Sequence, residues 1–247
     1  MTDLDPPGTD FPLATSSWSD AERAAMQRVI ASDRFTMGLE VKAFEEQFAA
    51  HFGSRHAVMV NSGSSANLVA VAAAVLDEGT RLRPGDEVLV PAVSWSTTYY
   101  PLHQYGLRLK FVDIDPATLN MDLGLARAAI GPDTRAIMAV NLLGNPNDFR
   151  VLGELCDDAG LVLFEDNCES MGAEFEGQAA GTFGVMGTFS TFFSHHISTM
   201  EGGVVVTDSE RFAQMLQSIK AIGSEAVNFG DDSLTAIAAG GVTISTK

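Results

Sequence analysis

Four short stretches hold residue types that can bind or move charge. Asn61-Ser62-Gly63-Ser64-Ser65 separates an apolar run from a helix-like one. Glycine admits a close backbone approach there, and the first amides of a helix have no internal partners, so the turn can cradle an anion. A plain N-cap is the competing reading, since serine suits that place equally. Pro91-Ala92-Val93-Ser94-Trp95 sets an indole just past a second apolar run, where it can stack on a flat ring or fill a core or interface. Phe164-Glu165-Asp166-Asn167-Cys168-Glu169 ends a third run in acids. A carboxylate there needs a cation, and a pyridinium N–H and a structural salt bridge meet that need equally. Ser190 to Gly203 carries His195 and His196 before Glu201-Gly202-Gly203. Adjacent histidines point apart in most backbones and no carboxylate stands at ligand spacing, so no metal is expected. A single imidazole can carry a proton near neutral pH or serve as hydrogen-bonded structure.

The surrounding pattern supplies the elements that must position these stretches. Helices are predicted from Ser19 to Ile30 and over Leu39–Phe52, where Phe44, Phe48 and Phe52 recur at helical spacing. Strands are predicted at His56–Val60, Glu87–Val90, Leu109–Ile114, Ala136–Val140 and Leu161–Phe164. Helices over Ser64–Leu76, Ser96–Tyr105, Leu123–Ile130 and Asp148–Ala159 alternate with them. This alternation, with strands that are continuous apolar runs, predicts an α/β fold: a mostly parallel sheet covered by helices on both faces. After Phe183 the rhythm changes to two short strands, Gly187–Phe193 and Gly203–Thr207, in a hairpin-like pair, and a last helix over Arg211–Ile222. Residues 1–16 read as an arm, 17–222 as one large domain, and 223–247 as a tail without clear period.

Composition removes several function classes. The 247 residues carry 32 acidic against 15 basic side chains, a net charge of −17, which repels nucleic acid and anionic membrane surfaces. Two cysteines outside any CxxC imply a reducing compartment and no structural zinc. The longest apolar run, Leu68–Leu76, is short of a bilayer span, and the Met-Thr-Asp-Leu-Asp start has no apolar leader, so a cytoplasmic location is expected.

Taken together, Gly85-Asp-Glu-Val-Leu-Val-Pro-Ala92, Phe111-Val-Asp-Ile-Asp115, Glu165-Asp166 and Glu201-Gly202-Gly203 resemble the DegT/DnrJ/EryC1/StrS sugar aminotransferases, pyridoxal-phosphate proteins of fold type I. The longer motifs Val93–Pro101, Asn141–Pro146, Glu165–Gly172 and Ser194–Gly203 resemble the branch that dehydrates nucleotide-linked 4-keto-6-deoxy sugars at C3 on the way to colitose, a sugar of lipopolysaccharide O-antigens. The resemblance runs from about Pro12 to about Ile219. It implies that Gly63, Ser64 and Ser190 hold the cofactor phosphate, that Trp95 stacks on the ring, and that Asp166 pairs with the ring nitrogen. It sets Glu169 where aminotransferases carry glutamine near the ring hydroxyl, and His195 where they carry the Schiff-base lysine.

That last exchange bears on the reaction. The chain has four lysines, Lys42, Lys110, Lys220 and Lys247, and none lies in the loop that would carry the Schiff base. Imidazole cannot form the imine, so pyridoxamine phosphate can persist as the resting cofactor. The implied reaction is loss of the C3 hydroxyl from a nucleotide-linked, by resemblance GDP-linked, 4-keto-6-deoxy sugar, with His195 moving the proton. Ammonia is released, and glutamate restores pyridoxamine phosphate from pyridoxal phosphate. Family chains continue through a smaller C-terminal domain that packs over the cofactor and completes a homodimer; here the tail from Ala221 no longer follows the family pattern, so that domain reads as absent. A sugar-nucleotide 4-aminotransferase, and a shortened chain that binds cofactor without turnover, stand as alternatives. A metal hydrolase built on His195 and His196 is a more distant third.

Overall fold

A computed structural model describes residues 16–221; most of the expected arm and the whole 223–247 tail lie outside them. The order is α1 Asp20–Ala31, α2 Leu39–Phe52, β1 His56–Val60, α3 Gly63–Leu76, β2 Glu87–Pro91, α4 Ser96–Gln104, β3 Arg108–Val112, α5 Leu123–Ala129 and β4 Thr134–Val140. A short 3-10 turn at Leu142–Gly144 follows, then α6 Phe149–Ala159, β5 Val162–Asp166, β6 Glu174–Phe175, β7 Gln178–Ala179, β8 Met186–Ser190, β9 Gly203–Thr207 and α7 Glu210–Lys220. Local chemistry starts the helices. Ser19 and Glu22 form a capping box on α1, and the Ser62, Asp122, Asp148 and Ser209 side chains cap α3, α5, α6 and α7.

Seven strands form one sheet in the order β1-β9-β8-β5-β4-β2-β3. The β3–β2–β4–β5–β8 pairings are parallel, whereas β9 runs against both β8 and β1. The expected mostly parallel sheet and the hairpin-like β8–β9 pair are both present. The sequence reading did not anticipate that β9 inserts between β8 and β1, nor the two-residue hairpin β6–β7. It also carried the third strand to Ile114, whereas β3 stops at Val112 and Ile114 makes only an isolated bridge to Met121.

Strand side chains alternate between two helical layers. Val88, Val90, Ala136, Met138, Phe164 and Met186 pack with Ala66, Ala70, Leu102 and Leu216 of α3, α4 and α7. Leu89, Ile137, Ala139 and Leu163 pack with Ala126, Phe149, Leu152 and Leu155 of α5 and α6. Phe48 and Phe52 of α2 cover Phe189, Val204 and Val206 on that second face. Both faces are therefore dry, which is why the strands lack polar alternation. Among the described residues no helix is long and apolar enough to cross a membrane.

Candidate functional site

The parallel strands end along one edge of the sheet, and the candidate residues gather there. Gly203 pairs with Val60 on one side and with Ser190 on the other, so the ends of β1 and β8 flank one residue. A side chain on Gly203 would strike the Ser62 carbonyl and the Gly63 amide. Gly63 opens α3, and a Cβ there would lie 2.6 Å from Ser190 Cβ and 2.9 Å from Cys168 Sγ. The structure thus brings Gly63, Ser190 and Cys168 into contact. Ser64, in the first turn of α3, is exposed, and no intrahelical partner exists for the Gly63 and Ser64 amides. Ser62 is committed as the cap, its Oγ accepting from Ser65 N at 3.0 Å.

The two acids of β5 part company because successive strand residues face opposite layers. Asp166 follows Phe164 toward α3. Its Oδ2 accepts from Asn67 Nδ2 at 2.8 Å and from Thr98 Oγ1 at 2.7 Å, while Oδ1 accepts from Cys168 N at 3.2 Å. Oδ1 therefore keeps capacity for a further donor. Asn67 is held in turn by Thr188 Oγ1, which donates to its Oδ1 at 2.6 Å. Pro101, inside α4, cannot donate to the Thr97 carbonyl four residues back, and Asn67 Nδ2 reaches that carbonyl at 3.4 Å. Since Thr98 has one proton and gives it to the carboxylate, Ser94 must be the donor in the 2.8 Å Ser94–Thr98 contact.

Glu165 turns the other way and is structural. It is fully buried, and its oxygens accept from the Gly181, Phe183 and Gly184 amides at 2.6, 2.6 and 2.7 Å. Burial pushes its pKa up to about 7 against the pull of those donors. Sequence reasoning grouped Glu165 with Asp166 and missed Asn67, Thr98 and Thr188. Period-two alternation was the available signal for the first point; nothing local marked the other three.

Trp95 precedes α4 and is 70% exposed, so it is not a core aromatic. Glu169 Oε2 accepts from Leu143 N at 3.3 Å, and Leu143 sits at φ +53° in the turn after β4 with its side chain exposed. His195 lies in the loop between β8 and β9, half-buried where His196 is exposed. Burial is the main cause that lowers the His195 pKa, His196 adds to it, and the carboxylates of Glu169 and Asp166 oppose it. The three described lysines are engaged elsewhere: Lys42 pairs with Glu46 at 3.8 Å, Lys110 with Glu87 at 3.4 Å and Lys220 with Glu45 at 2.8 Å.

This donor set fits pyridoxal or pyridoxamine phosphate. Free amides and a serine stand where a phosphate would sit, a carboxylate with one open oxygen can face a pyridinium N–H, and an unburied indole is free to cover a ring.

Comparison with known proteins agrees with that fit. Residues 17–239 match the model of the DegT/DnrJ/EryC1/StrS aminotransferase family. The chain is 56% identical over 214 residues to GDP-4-keto-6-deoxy-D-mannose 3-dehydratase of Yersinia pseudotuberculosis, covering 87% of this chain and 54% of that protein. It is 39% identical over 206 residues to dTDP-4-dehydro-2,6-dideoxy-D-glucose 3-dehydratase of Saccharopolyspora spinosa, covering 83% of this chain and 45% of that one. Among solved structures, GDP-4-keto-6-deoxymannose-3-dehydratase with a trapped PLP-glutamate geminal diamine superimposes with a TM-score of 0.85 at 51% identity, over 92% of this chain and 61% of that one. The chain spans about half the length of the curated relatives it matches.

Proposed function

The chain belongs to the DegT/DnrJ/EryC1/StrS aminotransferase family, and from that premise we propose that it is the cofactor-binding portion of a pyridoxamine-phosphate-dependent sugar 3-dehydratase. Its substrate is a nucleotide-linked 4-keto-6-deoxy sugar, GDP-4-keto-6-deoxy-D-mannose by its likeness to the Yersinia relative. The observation that carries the reading is the histidine loop: between β8 and β9 it presents a half-buried His195, whose pKa the carboxylates of Glu169 and Asp166 pull upward against burial, while the described lysines are engaged elsewhere. A solved relative in which an adjacent serine and histidine are replaced by asparagine and lysine supports His195 over His196, because Ser194-His195 is the single Ser-His dipeptide of this sequence.

When bound, the cofactor supplies an amine that condenses with a ketone and a ring that stores electrons. The chain's own groups divide the remaining work. Gly63 and Ser64 amides with the Ser190 hydroxyl hold the phosphate, and Trp95 covers the ring. Asp166, its Oδ2 fixed by Asn67 and Thr98, offers Oδ1 to the ring N–H. Glu169 stands toward the ring hydroxyl. Burial lowers the His195 pKa and so favours the neutral imidazole, which can accept a proton and then deliver it to the departing C3 oxygen. Glutamate as the amino donor, a homodimer completed by a further domain, a cytoplasmic location and a place in colitose synthesis for O-antigen belong to the same proposal.

Product analysis tests it. With pyridoxamine phosphate and the ketosugar nucleotide, the proposal requires free ammonia and a 3-deoxy-4-keto sugar in equal amounts. An amino sugar formed with glutamate would instead make the protein a 4-aminotransferase.

A further inference from the structure

The loop that carries His195 closes at a neck. Thr191 N donates to Gly202 O at 2.9 Å, Thr199 N donates to Thr191 O at 2.9 Å, and the Thr191 and Thr199 hydroxyls pair at 2.6 Å. Beyond the neck the backbone holds itself sparingly, through His195 N to Phe192 O at 2.9 Å and Phe192 N to Ser190 Oγ at 3.3 Å. Apolar packing adds little, since Phe192, Phe193, Ile197 and Met200 are all exposed. One side chain reaches the loop from a distant part of the chain: Trp18 Nε1 donates to Ser198 O at 3.0 Å across 180 residues. Among the described residues this is also the one hydrogen bond that joins residues 16–37 to the rest of the molecule. Helix α1, which Trp18 precedes, buries nothing, so no core requirement explains an indole at that place.

We propose that Trp18 is a positioning residue for His195, its indole N–H pinning the loop at the Ser198 carbonyl so that the imidazole keeps its half-buried place. The purpose of the tether rests on the proposed role of His195, but the tether itself is testable without cofactor, substrate or turnover. Its failure and the failure of the dehydratase reading are therefore separate events.

Trp18→Phe removes the N–H and keeps an aromatic ring. The full-length variant and parent are treated with diethyl pyrocarbonate at one fixed pH, and modification is followed at each histidine by peptide mapping. Loss of one hydrogen bond raises the population of the open loop, so His195 is expected to react about two- to tenfold faster. His51 and His103, both exposed and remote in sequence from the loop, are expected to keep their rates. An unchanged rate at His195 would overturn the proposal. So would a rise shared by all three histidines, which would mark Trp18 as a general support of the fold.

Discussion

The two donors on Asp166 Oδ2 make a sharp prediction about Thr98. Thr98 is 1% exposed and Asp166 5%, so water cannot replace a donor lost between them. Thr98→Val replaces the hydroxyl with a methyl group of similar size, so the donor is lost without opening a cavity. The carboxylate loses the bond at 2.7 Å and keeps those from Asn67 and Cys168. A hydrogen bond to a charged group is worth about 1.5–3 kcal/mol, and half-exposed Ser94 can turn to water at little cost. For a chain of this size that is a drop of about 3–12 °C in thermal midpoint. Thr98→Ser keeps the hydroxyl and gives up one methyl group, about 0.8 kcal/mol. The assay is paired thermal and denaturant unfolding of the three proteins, repeated with pyridoxamine phosphate. If valine and serine variants are equally stable, the hydroxyl is not supporting Asp166 and the derived Ser94–Thr98–Asp166 order is wrong.

Gly63→Ala places a methyl group 2.6 Å from Ser190 Cβ, and the overlap should cost about 1–3 kcal/mol in unfolding experiments while weakening cofactor retention in equilibrium dialysis. Glu165 sets a pH dependence. Its folded pKa of about 7 exceeds its ordinary 4.5, so between those values the folded state holds a proton that the unfolded chain releases. Its contribution is full below about pH 4.5 and falls as pH rises to 7, by up to about 3 kcal/mol, and Glu165→Gln should flatten that slope in denaturant titrations.

The fold was largely legible because burial of both sheet faces leaves an unmistakable trace: short continuous apolar strands alternating with capped helices. The position of β9 was not, because Gly203–Thr207 reads the same whether it lies at the sheet edge or between β8 and β1. The β6–β7 hairpin is too short to show a period. At the site, the turn holding Gly63 and the acid Asp166 stand where strands end, whereas the roles expected of Ser190 and His195 came from the family resemblance. Asn67 gives no such sign, because it sits one turn into a helix of small apolar residues and becomes meaningful only when Asp166 and Thr188 arrive from other strands. Leu143 is hidden for another reason: its positive φ occurs in a turn bonded to Glu169 and Ser170, neither of them local in sequence.

Borohydride reduction in the presence of pyridoxal phosphate, followed by peptide mapping of the parent chain and of His195→Lys, reaches the heart of the account. The proposed place of His195 in the seat of the tethering amine predicts a parent without a stoichiometric covalent adduct and a lysine variant labelled at position 195 alone. A lysine variant that stays unlabelled at 195, or a parent labelled stoichiometrically at Lys42, Lys110 or Lys220, would contradict it.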